Sequence, residues 1–211
     1  MTDSIDLFLK GNAEDGDYNQ YWYSPKTIER IVADLTEQAG DNRVIAFLST
    51  PSLYFSMPEP IRARSFVLDY DKKWEADRGF VFYDFNEPEA LPPALLHSCD
   101  IIVIDPPFIT HEVWQKYAVT ARLLAVAADC ANTGRQGKGP GPGPGQGTDS
   151  PKAPAKVLGT TVIENGPLLL EILGLSPTAF QPSIPNLVYQ YNLFTSYESS
   201  VFAVKNPEIP E

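Results

Sequence analysis

The stretch Cys99 to Phe108, read C-D-I-I-V-I-D-P-P-F, constrains the fold more than any other part of the chain. Ile101 to Ile104 is an unbroken β-branched run, the pattern of a strand buried on both faces. Asp105-Pro106-Pro107 ends it abruptly, because proline has no N–H for the ladder and keeps the residue before it out of the helical region. A rigid acidic turn therefore follows the carboxyl end of a central strand. In open α/β sheets the ligand crevice forms at that edge. An Asp-Pro-Pro turn also serves as a plain strand terminator. Phe108 favours a site, since an aromatic ring directly after two prolines at that edge is costly to leave in water unless it stacks on something.

The chain before this stretch reads as a series of strands and helices. Met1 to Asp17 is short and acidic and is expected to be a mobile arm, with Ile5, Leu7, Phe8 and Leu9 as weak docking candidates. Ser24-Pro25 suits an N-cap and first helical position, and Ile28, Ile31, Val32 and Leu35 follow at helical spacing until Gly40. Arg43 to Ser49 reads as a buried strand. The loop after it, Thr50-Pro51-Ser52, holds no glycine, although folds that bind nucleotides usually place a glycine-rich loop there. Ser49, Thr50 and Ser52 offer hydroxyls and backbone N–H groups instead, leading into a helix broken by Pro58 and Pro60.

Ser65 to Tyr70 is a second strand with Asp71 past its end, at the place where a doubly wound fold bonds a ribose. Asp71 reads equally as a solvated turn acid. Phe80 to Tyr83 is a third strand followed by Asp84, which suits an Asx turn, and Trp74 between them is expected to pack locally. Glu89 to His97 suits a short helix, and Glu112 to Ala128 a longer one with Val113, Trp114, Tyr117, Ala121, Leu124 and Ala125 on its buried side. The G-K-G-P-G-P-G-P-G-Q-G run within Ala131 to Ala155 reads as a flexible insertion. It leaves the far end of a helix, opposite the acidic turn, so deletion of Gly137 to Gly147 is expected to leave activity intact. Lys156 to Ile163 is a fifth strand and Gly166 to Leu173 a helix ending at Gly174. Ala179 to Ser183 and Val188 to Thr195 are read as a closing pair of strands, with Phe202 and Val204 packed against the sheet.

At 211 residues the chain suits one domain, placed at 18–211, with a core of useful size. Sixteen Lys and Arg against 27 Asp and Glu give a net charge of −11, which repels a nucleic acid backbone and suits a basic protein partner or simple solubility. Cys99 and Cys130 lack metal-ligand spacing and suit reduced thiols in a cytoplasmic protein. Neither His97 nor His111 lies in a metal motif. No apolar run is long enough for a membrane span, and no signal peptide is visible.

Asp105-Pro106-Pro107-Phe108 resembles the Asp/Asn-Pro-Pro-Tyr/Phe signature of methyltransferases that use S-adenosylmethionine to modify amino groups. Tyr23-Ser24-Pro25 resembles their Tyr/Phe-Thr-Pro element. Q-Y-W-Y-S, the glycine-free S-T-P-S-L-Y, L-D-Y-D-K-K-W, F-V-F-Y-D-F-N-E-P and D-I-I-V-I-D-P-P-F follow in an order similar to the protein-lysine methyltransferases of translation elongation factor 1-alpha. That family was once grouped with N6-adenine methyltransferases.

The resemblance implies an α/β fold: a Rossmann-like seven-stranded class I methyltransferase sheet, mostly parallel, with a C-terminal antiparallel hairpin. It implies S-adenosylmethionine as cofactor and a lysine of the basic elongation factor as substrate. Asp105 and the Pro106 carbonyl would orient the amine, Phe108 would pack on the lysine, and Trp22 would line its entrance. Asp71 would hold the ribose and Asp84 the adenine. Tyr23 and Ser24 would lie near the methionine end, with Ser49 and Thr50 in the first loop. Adenine N6 methylation and a binding module without catalysis are the alternatives. The insertion at 131–155 departs from the family's usual length.

Overall fold

The computed structural model describes residues 2–126 and 153–210. Its centre is a seven-stranded sheet built from β1 (Ile45–Leu48), β2 (Phe66–Asp69), β3 (Phe80–Phe82), β4 (Ile101–Ile104), β5 (Lys156–Thr161), β6 (Ser176–Pro177) and β7 (Asn192–Thr195), in the order β3-β2-β1-β4-β5-β7-β6. β3 through β5 run parallel, and β7 is antiparallel to both β5 and β6. The expected sheet is therefore present, parallel with an antiparallel end.

Side chains alternate across the pleat and fill two cores. Ile45, Phe47, Ile101 and Val103 point into one, beneath α2 (Pro25–Ala39) and α3 (Pro51–Ser56). Ala46, Leu48, Ile102 and Ile104 point into the other, beneath α5 (His111–Leu124) and α6 (Gly166–Leu173). Helix α2 forms as its sequence dictates. Ser24 accepts from the Thr27 N–H, Pro25 opens the first turn, and Ile28, Ile31, Val32 and Leu35 are fully buried. At α5, Thr110 caps the start, and Val113, Trp114, Tyr117, Ala121 and Leu124 are buried. The helix stops before the expected Ala128. Ala125 is extended and bridges to Cys99.

Several expectations are corrected. The chain opens not as a mobile arm but in helix α1 (Thr2–Gly11), with Ile5 and Phe8 buried on one face and Leu7 exposed on the other. Phe8 packs among Trp22, Phe55 and Trp74, so three aromatics from distant segments hold down a helix whose own sequence is weak. The stretch between Glu89 and His97 forms only one 3-10 turn, Pro93–Leu95, because Pro92 and Pro93 withhold the N–H groups a longer helix needs. The segment broken by prolines after β1 forms α3 and the short α4 (Glu59–Arg62).

At the carboxyl end of the chain, neither Ala179 to Ser183 nor Val188 to Tyr191 is a strand; β6 lies earlier, at Ser176–Pro177, and Val188 is 87% exposed. Phe180 instead packs on Phe202, which is buried, whereas Val204 is exposed. The glycine- and proline-rich insertion lies outside the described residues as far as residue 152. Its flanks, α5 and the start of β5, meet the edge opposite the acidic turn, where the Lys156 N–H bonds to Asp100. Among the described residues, no helix is long and apolar enough to cross a membrane.

Candidate active site

The strand order reverses between β1 and β4, so their carboxyl ends diverge into a crevice. Leu48 pairs with Ile104, and the Asp105 N–H still bonds to the Leu48 carbonyl at 3.2 Å before the prolines end the ladder. Ser49 and Asp105 therefore emerge side by side into a cavity of about 340 Å3. That volume lies within the roughly 300–1,000 Å3 of small-molecule sites.

On the β4 side, the Asp105 carboxylate accepts from the Tyr23 hydroxyl at 2.6 Å, and that hydroxyl also lies 2.6 Å from Thr160 Oγ1. Burial pushes the Asp105 carboxyl up to about 7, against the opposing pull of the Tyr23 and Thr160 hydroxyls beside it. Phe108 is half exposed at the rim, edge-on to Phe85, which stacks in turn on Tyr117. Pro106 lines the wall beside Asp105, while the Pro107 carbonyl accepts from the side-chain amide of Asn19.

On the β1 side, Ser49 stands where a glycine is usual and adopts the left-handed conformation itself, at φ +54°. Its N–H donates to the Leu68 carbonyl, and its hydroxyl lies 2.6 Å from that of Tyr117. Thr50 is buried and does not line the cavity, and its hydroxyl has no hydrogen-bond partner among the described residues.

At β2 the strand ends at Asp69, and this acid was missed because the sequence carried the strand on to Tyr70. Asp69 is buried in the cavity wall and accepts from the Asp71 N–H. Burial raises its carboxyl to about 6. Asp71 also lines the cavity but is already engaged, by Lys73 Nζ at 2.8 Å, the Lys73 N–H at 3.0 Å and Gln20 at 3.1 Å. Burial works against ionisation of Asp71, yet these bonds outweigh it and hold the carboxyl below its ordinary value. Asp84 lines the wall after β3 and also forms the expected Asx turn, accepting from the Asn86 N–H at 2.8 Å.

The segment from Asp17 to Trp22 roofs the cavity. Asn19 ties it to the turn after β4, and Gln20 ties it to Asp71 and Lys73 after β2. Trp22 lines the cavity while its indole N–H is held by the Asn12 carbonyl. Ser24 does not reach the cavity; its hydroxyl caps α2 and bonds to Glu208. Tyr18, Tyr70 and Tyr191 also line the cavity, and sequence reasoning missed them because nothing local distinguishes them from packing aromatics. Among the described residues, no three His, Cys, Asp or Glu side chains are arranged to hold a metal ion.

The sheet order, with its crevice at the β1–β4 switch point, is that of the class I methyltransferase fold. The same fold is seen in the branched-chain polyamine synthase from Thermus thermophilus, solved with N4-aminopropylspermidine and 5'-methylthioadenosine. The TM-score is 0.54 at 16% identity, over 92% of this chain and 63% of that one. A family model described as probable N6-adenine methyltransferase matches residues 14–199, and the chain belongs to that family. Its relatives include EEF1A lysine methyltransferase 1 of Danio rerio, 38% identical over 113 residues, which are 50% of this chain and 68% of the relative. The Homo sapiens protein of the same name is 32% identical over 115 residues, 53% of this chain and 54% of the relative. Protein-lysine N-methyltransferase EFM5 of Saccharomyces cerevisiae is 31% identical over 128 residues, 57% of this chain and 52% of the relative. The chain spans about half the length of the human and yeast relatives.

Proposed function

We propose that this protein transfers methyl groups from S-adenosylmethionine to a lysine of translation elongation factor 1-alpha in the cytoplasm. The observation that carries the reading is the turn after β4, which sets the Asp105 carboxylate in the cavity wall and Phe108 at its rim. The names of the relatives support the substrate.

The residues present fit the cofactor. The cavity joins the carboxyl ends of four parallel strands, with a buried acid, Asp69, at the end of β2. Asp69 is the better acceptor for ribose hydroxyls, because Asp71 is taken up by Lys73 and Gln20. Asp84, in the cavity wall after β3, would hold the adenine, and Ser49 with its left-handed backbone takes the place of the usual glycine. S-adenosylmethionine supplies a methyl carbon activated by its sulfonium.

A lysine entering past Phe108 and Trp22 must lose its proton, since free lysine titrates at about 10.4. The partly apolar cavity favours the neutral amine. Asp105 and the Pro106 carbonyl accept its N–H bonds and aim the lone pair at the methyl carbon. Transfer would break the methyl carbon's bond to sulfur, leaving a neutral thioether, as the N–C bond forms, and the Asp105 carboxylate would stabilise the positive charge that moves to nitrogen. Phe108 presents its face to the cationic product.

The family model's description favours a second reading, transfer to the N6 of adenine, in which a flipped base would stack on Phe108. The net charge of −11 opposes it. Labelled cofactor is offered to purified elongation factor 1-alpha and, separately, to DNA and RNA, with wild type and Asp105→Ala. Label on the protein with wild type alone is expected. Label on nucleic acid instead would establish the second reading.

A further inference from the structure

Three elements meet at the Tyr23 hydroxyl: the approach to α2, the turn after β4 and strand β5. It lies 2.6 Å from Asp105 Oδ2 and 2.6 Å from Thr160 Oγ1, and both Tyr23 and Thr160 are almost wholly buried. The register makes this arrangement inevitable. Ile104 pairs with Gly159, so Asp105, just past the end of β4, lies beside Thr160 of β5. A phenol has one proton. With that proton on Asp105, the contact with Thr160 is made by the threonine hydroxyl donating to the phenol oxygen. The chain of donors runs Thr160 to Tyr23 to Asp105.

We propose that Tyr23, braced by Thr160, is a positioning residue that commits one oxygen of Asp105 and leaves the other to receive the N–H of the target amine. The inference rests on the amine-methyltransferase reading above and changes the role of Tyr23. Its hydroxyl serves the acceptor and not the cofactor's methionine end.

The surroundings leave this task to Tyr23 and Thr160. Tyr117 from α5 and Tyr191 ahead of β7 face the same carboxylate, and Asp69 from β2 lies in the same cavity wall. Among the described residues, no lysine, arginine or histidine forms an ion pair with Asp105. Burial favours its neutral acid, and the bond from Tyr23, with the Thr160 hydroxyl behind it, favours the carboxylate. Donors in series strengthen one another, which suits a task that a lone tyrosine would do less well.

The test follows Asp105 itself by carboxyl 13C NMR titration without cofactor, in wild type, Tyr23→Phe, Thr160→Val and Thr160→Ser. Alongside it, kcat/KM against pH is measured for methyl transfer to elongation factor 1-alpha. A bond to a charged group is worth enough to move a titration by roughly one pH unit. Tyr23→Phe is expected to move the Asp105 midpoint up by about that much and to carry the acidic limb of kcat/KM with it. At pH 7 this is about a fivefold loss that is regained by pH 9. Thr160→Val is expected to follow part of the way, and Thr160→Ser to restore the wild-type midpoint. A midpoint unmoved in Tyr23→Phe overturns the inference, and so does a moved midpoint with an unmoved activity profile. A moved midpoint in a protein whose wild type methylates nothing upholds the control of Asp105 by Tyr23 and defeats the lysine reading alone.

Discussion

Ser49 and Tyr117 meet through their hydroxyls at 2.6 Å across the end of β1. This contact explains how a first loop without glycine makes its turn. Ser49 takes the left-handed backbone at φ +54°, and Tyr117 on α5, itself buried, holds it there. The turn that glycine makes by freedom is made here by a side-chain bond.

Replacing Ser49 therefore separates backbone from bond. Ser49→Ala keeps the left-handed backbone and strands the buried Tyr117 hydroxyl, and is expected to cost about 1–3 kcal/mol. Ser49→Gly loses the same bond but relieves about 1 kcal/mol of left-handed strain. Urea unfolding should rank wild type above Ser49→Gly and Ser49→Gly above Ser49→Ala. An alanine variant as stable as the glycine variant would show that the backbone carries no strain at this position.

Two buried acids set a pH dependence of stability. Burial raises Asp105 to about 7 and Asp69 to about 6, whereas aspartate in an unfolded chain titrates near 3.9. Between about pH 4 and 7 the folded protein holds protons that the unfolded chain has released. Folding stability without cofactor thus falls as pH rises through that window and levels off above about pH 8. At about 1.4 kcal/mol per pH unit between folded and unfolded midpoints, each acid disfavours the folded state by a few kcal/mol at the alkaline end. Asp105→Asn removes its share. Its thermal midpoint should exceed that of wild type at pH 8 and approach it near pH 4.

Asp69 and Asp71 line the same wall but differ in what already occupies them. Asp69 accepts a backbone N–H and faces the cavity, while Asp71 closes a latch with Lys73 and Gln20. Calorimetry with S-adenosylmethionine should find Asp69→Asn weakened more than tenfold, as a carboxylate bonded to ribose hydroxyls requires. Asp71→Asn should weaken binding only severalfold, through loosening of the roof. The reverse order would return the ribose to Asp71.

The parts of this design that were legible in the sequence are those that local pattern determines. β4 and the turn after it, β1, and helix α2 with Ser24 and Pro25 at its start all formed as read. A continuous apolar run, a double proline and a cap carry their own physics. What escaped depends on distant partners. α1 is held by Trp22, Phe55 and Trp74, none of which its sequence announces. Asp69 was passed over because the strand was read a single residue too far, to Tyr70. Tyr23 was noticed for its aromatic neighbourhood, yet its hydroxyl bonds to residues 82 and 137 positions away. Of the closing pair, the second strand forms only over its last four residues, Asn192–Thr195, and the first lies earlier in the chain than read, at Ser176–Pro177. Val188 to Tyr191 alternates like a strand but pairs with no strand among the described residues, and it stays loop.

Phe108 offers the sharpest separation of substrate from cofactor. Its ring is 49% exposed, so it adds little to the core, and Phe108→Ala should leave the thermal midpoint nearly unchanged. Behind it, Phe85 meets the ring edge-on and Tyr117 stacks on Phe85, so the exposed ring is held at the rim by an aromatic row. A ring so placed attracts a lysine stem or methylated ammonium by about 0.5–2 kcal/mol. Phe108→Ala should therefore raise KM for elongation factor 1-alpha roughly 3- to 30-fold, with cofactor affinity intact, and Phe108→Tyr should recover most of the loss. If cofactor affinity fell in step with KM, the ring would belong to the cofactor's pocket, and the lysine would have to enter elsewhere, along the wall lined by Trp22 and Tyr191.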